Sequence, residues 1–184
     1  SLRIGEEAVD KAEVDVPNYS YALVSIHRFE NIFSKAKLTE IVELLVRVSK
    51  KKNLLFILHK PTEQKLHQFQ LREKLERCPN IELRPRYSYF EFIKLTKQAA
   101  LVITDGGSNQ EECYYMGKPC VIMRSASERQ EGLGENAVIC DYKYEEIERV
   151  IENLSMYEIV ENRSSVSPTR IIVDQLIQPN AGVK

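Results

Sequence analysis

Leu101–Pro119 reads LVITDGGSNQEECYYMGKP, and this stretch decides the fold. Four apolar residues run straight into Asp105-Gly106-Gly107-Ser108, and helix-forming residues follow at once. Two adjacent glycines let a backbone turn tightly and approach a ligand, because no Cβ intrudes. A helix that opens there offers unpaired N–H groups and the positive end of its dipole, a setting for an anion such as a pyrophosphate. Ser108 or Asn109 can cap that helix, expected over Gln110–Gly117, and Glu111 and Glu112 are expected in its first turn, where the dipole suits them. Gly117-Lys118-Pro119 then supplies the Gly-then-Pro stop. A plain βα turn would look similar. The segment is neither a GxxxxGK[ST] loop nor a GxGxxG fingerprint, so ATP and NAD lose their main support and no cofactor is expected.

Outward from this segment, short apolar runs alternate with helical periods. Tyr21–Ile26 (YALVSI) reads as a buried strand ending at His27, and Leu54–Leu58 (LLFIL) as a second ending at His59. Ile81–Leu83, Leu101–Thr104, Cys120–Met123 and Ala137–Cys140 are the remaining strand candidates. Helices are expected from the period of Leu38, Ile41, Val42, Leu45, Val46 and Val48, and over about Glu63–Arg77, with Leu66, Phe69, Leu71 and Leu75 inward. Others are expected over Tyr89–Ala100, Glu145–Leu154 and Thr169–Leu176. Such alternation implies an α/β fold, a doubly wound, Rossmann-like parallel sheet covered on both faces. Ligands of such sheets bind beyond the C-terminal strand ends, where His27, His59, Asp105 and Arg124 fall.

Composition narrows the classes. The chain has 184 residues, enough for one domain with a core, and 26 basic against 27 acidic residues give no reason to expect a nucleic-acid or membrane partner. No apolar run approaches a membrane span, and the N-terminus lacks a signal pattern, so a cytoplasmic protein is expected. The four cysteines are scattered without a CxxC pair, which favours reduced thiols, and Cys113 reads as core rather than nucleophile. No HExxH or comparable spacing marks a metal site. His67 lies in a polar helix and is expected to face solvent.

Three segments read together carry a resemblance. They are His27–Asn31 (HRFEN), Thr104–Glu112 (TDGGSNQEE) and Ser127–Glu131 (SERQE), with GKP between the last two. In type, order and spacing they resemble the C-terminal half of the non-hydrolysing UDP-N-acetylglucosamine 2-epimerases, which typically shows HRREN, TDSGGIQEE, GKPV and TERPE. The resemblance covers about residues 20–176. It implies one half of a GT-B-type two-domain enzyme, whose reaction eliminates UDP to a glycal and re-adds it with inverted C2. Its implied ligand is UDP or a UDP-N-acetylhexosamine. Its implied partner is an N-terminal domain that carries the proton-transferring carboxylates, and a homodimer is left open.

By position, the resemblance places His27 by the diphosphate as a catalytic residue. Gly106, Gly107 and Ser108 would hold the pyrophosphate, Glu112 would accept from the ribose, Phe92 would meet the uracil through its backbone, and Arg129 would supply charge to the phosphates or hold the loop. Arg28 and Glu30 would pair with each other or shape the cleft, and His59 reads equally as structural or ligand-orienting. The chain departs from the family in reading GGS for SGG, in Phe29 for an arginine, in Gln130 for a proline, in Asn136 for a glycine, and in an extra residue near Arg86-Tyr87-Ser88. Residues 1–20 are expected to be a linker or interdomain crossing, 21–155 the UDP-binding domain and 156–184 a C-terminal helical extension. The start at Ser1-Leu2 suggests a piece of a longer protein. The donor half of a GT-B glycosyltransferase and a stand-alone nucleotide-sugar module are the other readings, and HRFEN favours the epimerases.

Overall fold

A computed structural model describes residues 8–160. Its strands are β1 (Tyr21–Ser25), β2 (Asn53–Leu58), β3 (Ile81–Pro85), β4 (Leu101–Thr104), β5 (Cys120–Ile122) and β6 (Ala137–Ile139). All pairings are parallel, and the order is β3-β2-β1-β4-β5-β6. From Phe29 onward the helices are α1 (Phe29–Ile32), α2 (Lys35–Val48), α3 (Lys60–Gln68), α4 (Arg72–Glu76), α5 (Tyr89–Gln98), α6 (Gly107–Tyr115), α7 (Tyr144–Glu152) and α8 (Leu154–Tyr157).

The period of two along each strand sends alternate side chains to opposite faces, and both faces are covered. From β1, Ala22 and Val24 join one core with Ile41 and Leu45 of α2, Leu66 of α3 and Ile147 of α7. Tyr21 and Leu23 join the other, with Leu95 of α5 and Cys113 of α6. The register sets Leu23 beside Leu55 and Val102, so the middle of the sheet is continuous hydrocarbon. This is the doubly wound, Rossmann-like α/β fold that the apolar runs imply.

Several boundaries differ from the sequence reading, and three of the differences bear on the helices. The helix expected over about 63–77 is two helices, because Gln70 takes a left-handed φ of 59°. Leu71 N–H reaches back to the Leu66 carbonyl (2.8 Å) and Gln70 N–H to that of His67 (3.0 Å), a closure that ends α3. Leu66, Leu71 and Leu75 are buried all the same. Next, α6 begins at Gly107 rather than Gln110, with Gly106 as its extended N-cap and no side chain capping it. Ser108 and Asn109 therefore sit inside the first turn instead of capping it, and Glu111 and Glu112 lie beyond it. Gly117 closes α6 with a φ of 66°, and Lys118 N–H returns to the Cys113 carbonyl at 2.8 Å. Finally, α7 stops at Glu152 and a separate short α8 follows.

Where they are described, the first twenty residues lie against the domain. Val9 is buried, and Lys94 Nζ donates to the carbonyls of Asp10 (2.9 Å) and Ala12 (2.8 Å). The helix expected over Thr169–Leu176, and with it most of the 156–184 extension, lies outside the described residues. No described helix is long and apolar enough to cross a membrane.

Candidate functional site

The strand order reverses between β1 and β4, where the chain leaves one strand towards α2 on one face and the other towards α6 on the opposite face. A crevice opens at the C-terminal edge of the sheet at such a point. A pocket of about 240 Å³ lies there. It is lined by His27 and Arg28 from the segment after β1, by residues 106–109 after β4, and by Glu128 and Arg129 after β5.

Asp105 ties the first two segments together. Its fully buried carboxylate accepts from His27 N–H (3.0 and 3.2 Å), from Arg28 N–H (2.9 Å) and from Asn31 Nδ2 (2.8 Å). Asn31 in turn accepts from the Tyr142 hydroxyl at 2.8 Å. These bonds fix the carboxylate between the segment after β1 and the turn after β4. The sequence reading placed Asp105 at the strand end and gave it no role, and Asn31 had none either.

His27 is half-buried, with Nδ1 3.4 Å from Asp105 Oδ1 but off the line of a hydrogen bond. Its ring stacks on His59 at 4.6 Å between centroids and 17° between planes. His59 therefore backs the catalytic candidate from outside the pocket lining. Burial, reinforced by the neighbouring His27 and Arg86, holds the His59 pKa down at about 4 against an ordinary 6.5, with Asp105 opposing. A histidine that gives up its proton on folding weakens the folded state in acid. Stability is expected to fall as pH drops from about 6.5 towards 4, and His59→Gln to flatten that slope. Urea midpoints across that window check it, and parallel slopes in parent and variant would refute it.

The turn into α6 is built around close approach. Gly106 N–H donates to Thr104 Oγ1 at 3.0 Å. A Cβ on Gly106 would lie 2.8 Å from both His27 Cε1 and Asn109 Oδ1, and one on Gly107 would lie 3.1 Å from Glu128 Oε1. These two positions admit no side chain without movement. The first turn of α6 lines the pocket with Gly107, Ser108 and Asn109, which brings orphan N–H groups and the positive dipole end to it. Gln110 is buried and pins the segment after β5: its Nε2 donates to the Glu131 carbonyl (2.8 Å), and its Oε1 accepts from Ser127 (2.6 Å). That contact also had no sequence signal.

The rim is charged and self-paired. Arg28 bonds Glu30 (2.7 Å) and Glu128 (2.9 Å), Arg124 pairs with Glu128, and Arg129 lies 3.3 Å from Glu111. Its own N–H and the two guanidinium groups draw the Glu128 pKa down to about 2. Glu30 thus belongs to the ion pairs of the rim and does not line the pocket. Phe29 is 70% exposed and stacks on Phe33 at 4.2 Å.

Glu112 lies beyond the pocket lining, further along α6. Burial pushes its pKa up, while hydrogen bonds from Asn109 and the Tyr89 hydroxyl oppose that rise and the nearby Glu111 adds to it. Phe92 lies on α5. Its N–H donates to the Ser88 carbonyl (3.0 Å), its carbonyl accepts from Thr96 Oγ1 (2.9 Å), and it packs against the second core rather than lining the pocket. Among the described residues no group of three His, Cys, Asp or Glu side chains is placed to hold a metal ion.

A family model described as UDP-N-acetylglucosamine 2-epimerase matches residues 2–169. The chain is similar to the UDP-N-acetylglucosamine 2-epimerase of Methanococcus maripaludis, at 40% identity over 66% of this chain and 34% of that protein. To the enzyme of the same name from Methanocaldococcus jannaschii it is 34% identical, over 71% of this chain and 37% of that protein. Its fold matches the crystal structure of the M. jannaschii UDP-GlcNAc 2-epimerase in complex with UDP-GlcNAc and UDP. There the TM-score is 0.77 at 27% identity, over 95% of this chain and 51% of that one. A likeness to an E. coli heptosyltransferase, with a TM-score of 0.52 at 14% identity, is one of fold alone. The matched segments are thus about a third of the length of these curated relatives, and the chain spans about half of that solved structure. By this match the chain belongs to the UDP-N-acetylglucosamine 2-epimerase family.

Proposed function

We propose that this chain is the UDP-binding C-terminal domain of a UDP-N-acetylglucosamine 2-epimerase, which interconverts UDP-N-acetylglucosamine and UDP-N-acetylmannosamine once joined to an N-terminal half. The observation that carries this reading is the meeting of His27 with the Gly106-Gly107 turn of α6, where the sheet order reverses. The first-turn N–H groups of α6 receive the diphosphate, and Ser108 adds a hydroxyl. Arg28 and Arg129 add charge at the rim. His27 stands where UDP leaves: an imidazole at the diphosphate steadies the negative charge that grows on the leaving oxygen as the C1–O bond breaks. Glu112 accepts from ribose hydroxyls.

The elimination also needs a base at C2 and an acid to return the proton, each within hydrogen-bond reach of the sugar. The pocket's own carboxylate, Glu128, is already held between Arg28 and Arg124. Those groups come in this reading from the N-terminal half, so the chain alone binds UDP and does not epimerise.

Calorimetric titration with UDP, UMP and ADP tests it. UDP is expected to bind more tightly than either, because UMP lacks a phosphate for α6 and ADP the matching base. Glu112→Ala is expected to weaken UDP about tenfold by removing a charged acceptor. A folded chain that takes up none of the three, or all three alike, overturns the reading.

A further inference from the structure

Asn109 stands in the first turn of α6, and a Cβ at 106 would lie 2.8 Å from its Oδ1. The amide occupies the ground that a side chain at 106 would take.

What the amide does there is directional. Gly106 N–H donates to Thr104 Oγ1 (3.0 Å), and the Thr104 hydroxyl donates to Asn109 Oδ1 (3.1 Å). Asn109 Nδ2 then donates to Glu112 Oε2 (3.2 Å). Each group passes on its proton direction to the next, from the pocket floor to the carboxylate. The Glu112 link fixes which end of the amide faces the carboxylate, because only the amide nitrogen can donate to it.

We infer that Asn109 is a positioning residue that holds the Glu112 carboxylate, as an acceptor, towards the vicinal hydroxyls of a nucleotide ribose. This rests on the nucleotide reading of the pocket. The carboxylate has room for about four hydrogen bonds. Asn109 from α6 and the Tyr89 hydroxyl from α5 supply two, which leaves acceptor capacity for a diol. Burial pushes Glu112 towards its protonated form, and Glu111 on the same helix adds to that push. A protonated Glu112 would carry a donor where the ribose needs acceptors. The Asn109 N–H opposes that protonation and sets the direction of Oε2.

The test pairs two readouts on the whole chain, on Asn109→Asp and on Asn109→Leu. Asn109→Asp keeps an acceptor for Thr104 and replaces the donor by a carboxylate. Asn109→Leu removes the donor without adding charge. Carbon-13 NMR titration of the Glu112 carboxyl is expected to show its midpoint raised by about one pH unit in both variants. Calorimetry with UDP and 2′,3′-dideoxyuridine diphosphate is expected to show parent preference for the ribose form of about tenfold, lost in both variants. An unmoved midpoint in Asn109→Leu overturns the positioning role. Retained ribose preference in both variants overturns it as well. A folded parent that binds neither nucleotide sinks the nucleotide reading instead, and the carboxyl titration still decides whether Asn109 governs Glu112.

Discussion

Asp105→Ala is expected to lower the free energy of unfolding by about 3 kcal/mol and to abolish nucleotide binding at the pocket. The carboxylate is fully buried and accepts from His27 N–H, Arg28 N–H and Asn31 Nδ2. Truncation leaves three donors in an interior that water does not reach, and each orphaned group costs about 1–3 kcal/mol when nothing relaxes to meet it. The segment that carries His27 and Arg28 would then lose its anchor to β4. Asp105→Asn is expected to be milder, since one oxygen still accepts, but its amide would face other N–H groups. Urea unfolding gives the stability, and calorimetry with UDP gives the binding. A variant that loses under about 1 kcal/mol, with an unchanged m-value, would show that the segment holds without this carboxylate.

Gly106→Ser is expected to weaken UDP binding at least tenfold, with a stability cost of about 1–3 kcal/mol from overpacking. The reason is local. The new Cβ would meet His27 Cε1 and Asn109 Oδ1, each at 2.8 Å, and neither contact can stand. Either the imidazole moves off the pocket or the α6 turn backs away, and both spoil the anion site. Asn109→Ile combined with Gly106→Ser removes one of the two collisions and is expected to recover part of the loss. A double-variant cycle measures that coupling. Strict additivity of the two changes would refute the steric account.

The parts of the fold that show in the sequence are those set by short-range pattern. YALVSI, LLFIL, LVIT and CVIM are legible because a strand covered on both faces is built mainly from apolar side chains. The start of α6 is not, because Gly106 caps it with backbone alone, and glycine, serine and asparagine are weak helix formers that read as a turn. The break at Gln70 hides for a related reason, since a left-handed glutamine has no compositional signal. In the site, the glycine turn and the strand-end His27 are visible as local motifs. The bonds that organise them are not: His27 and Asp105 lie 78 residues apart, and Arg28 and Glu128 lie 100 apart. The stacking of His59 on His27 and the grip of Gln110 on the Ser127 segment likewise depend on which strands become neighbours, which periodicity does not encode.

That β1 pairs with β4 across so long a stretch of chain also has a meaning in time. Distant pairings form late, after the entropy of closing the intervening loop has been met. No partly folded chain that has made only its local βαβ units owns a pocket, because the histidine and the glycine turn meet only once that central pairing closes. A nucleotide that binds there recognises completed molecules alone, and by mass action draws the population towards them. Ligand uptake during refolding would thus act as a clock for the last long-range step.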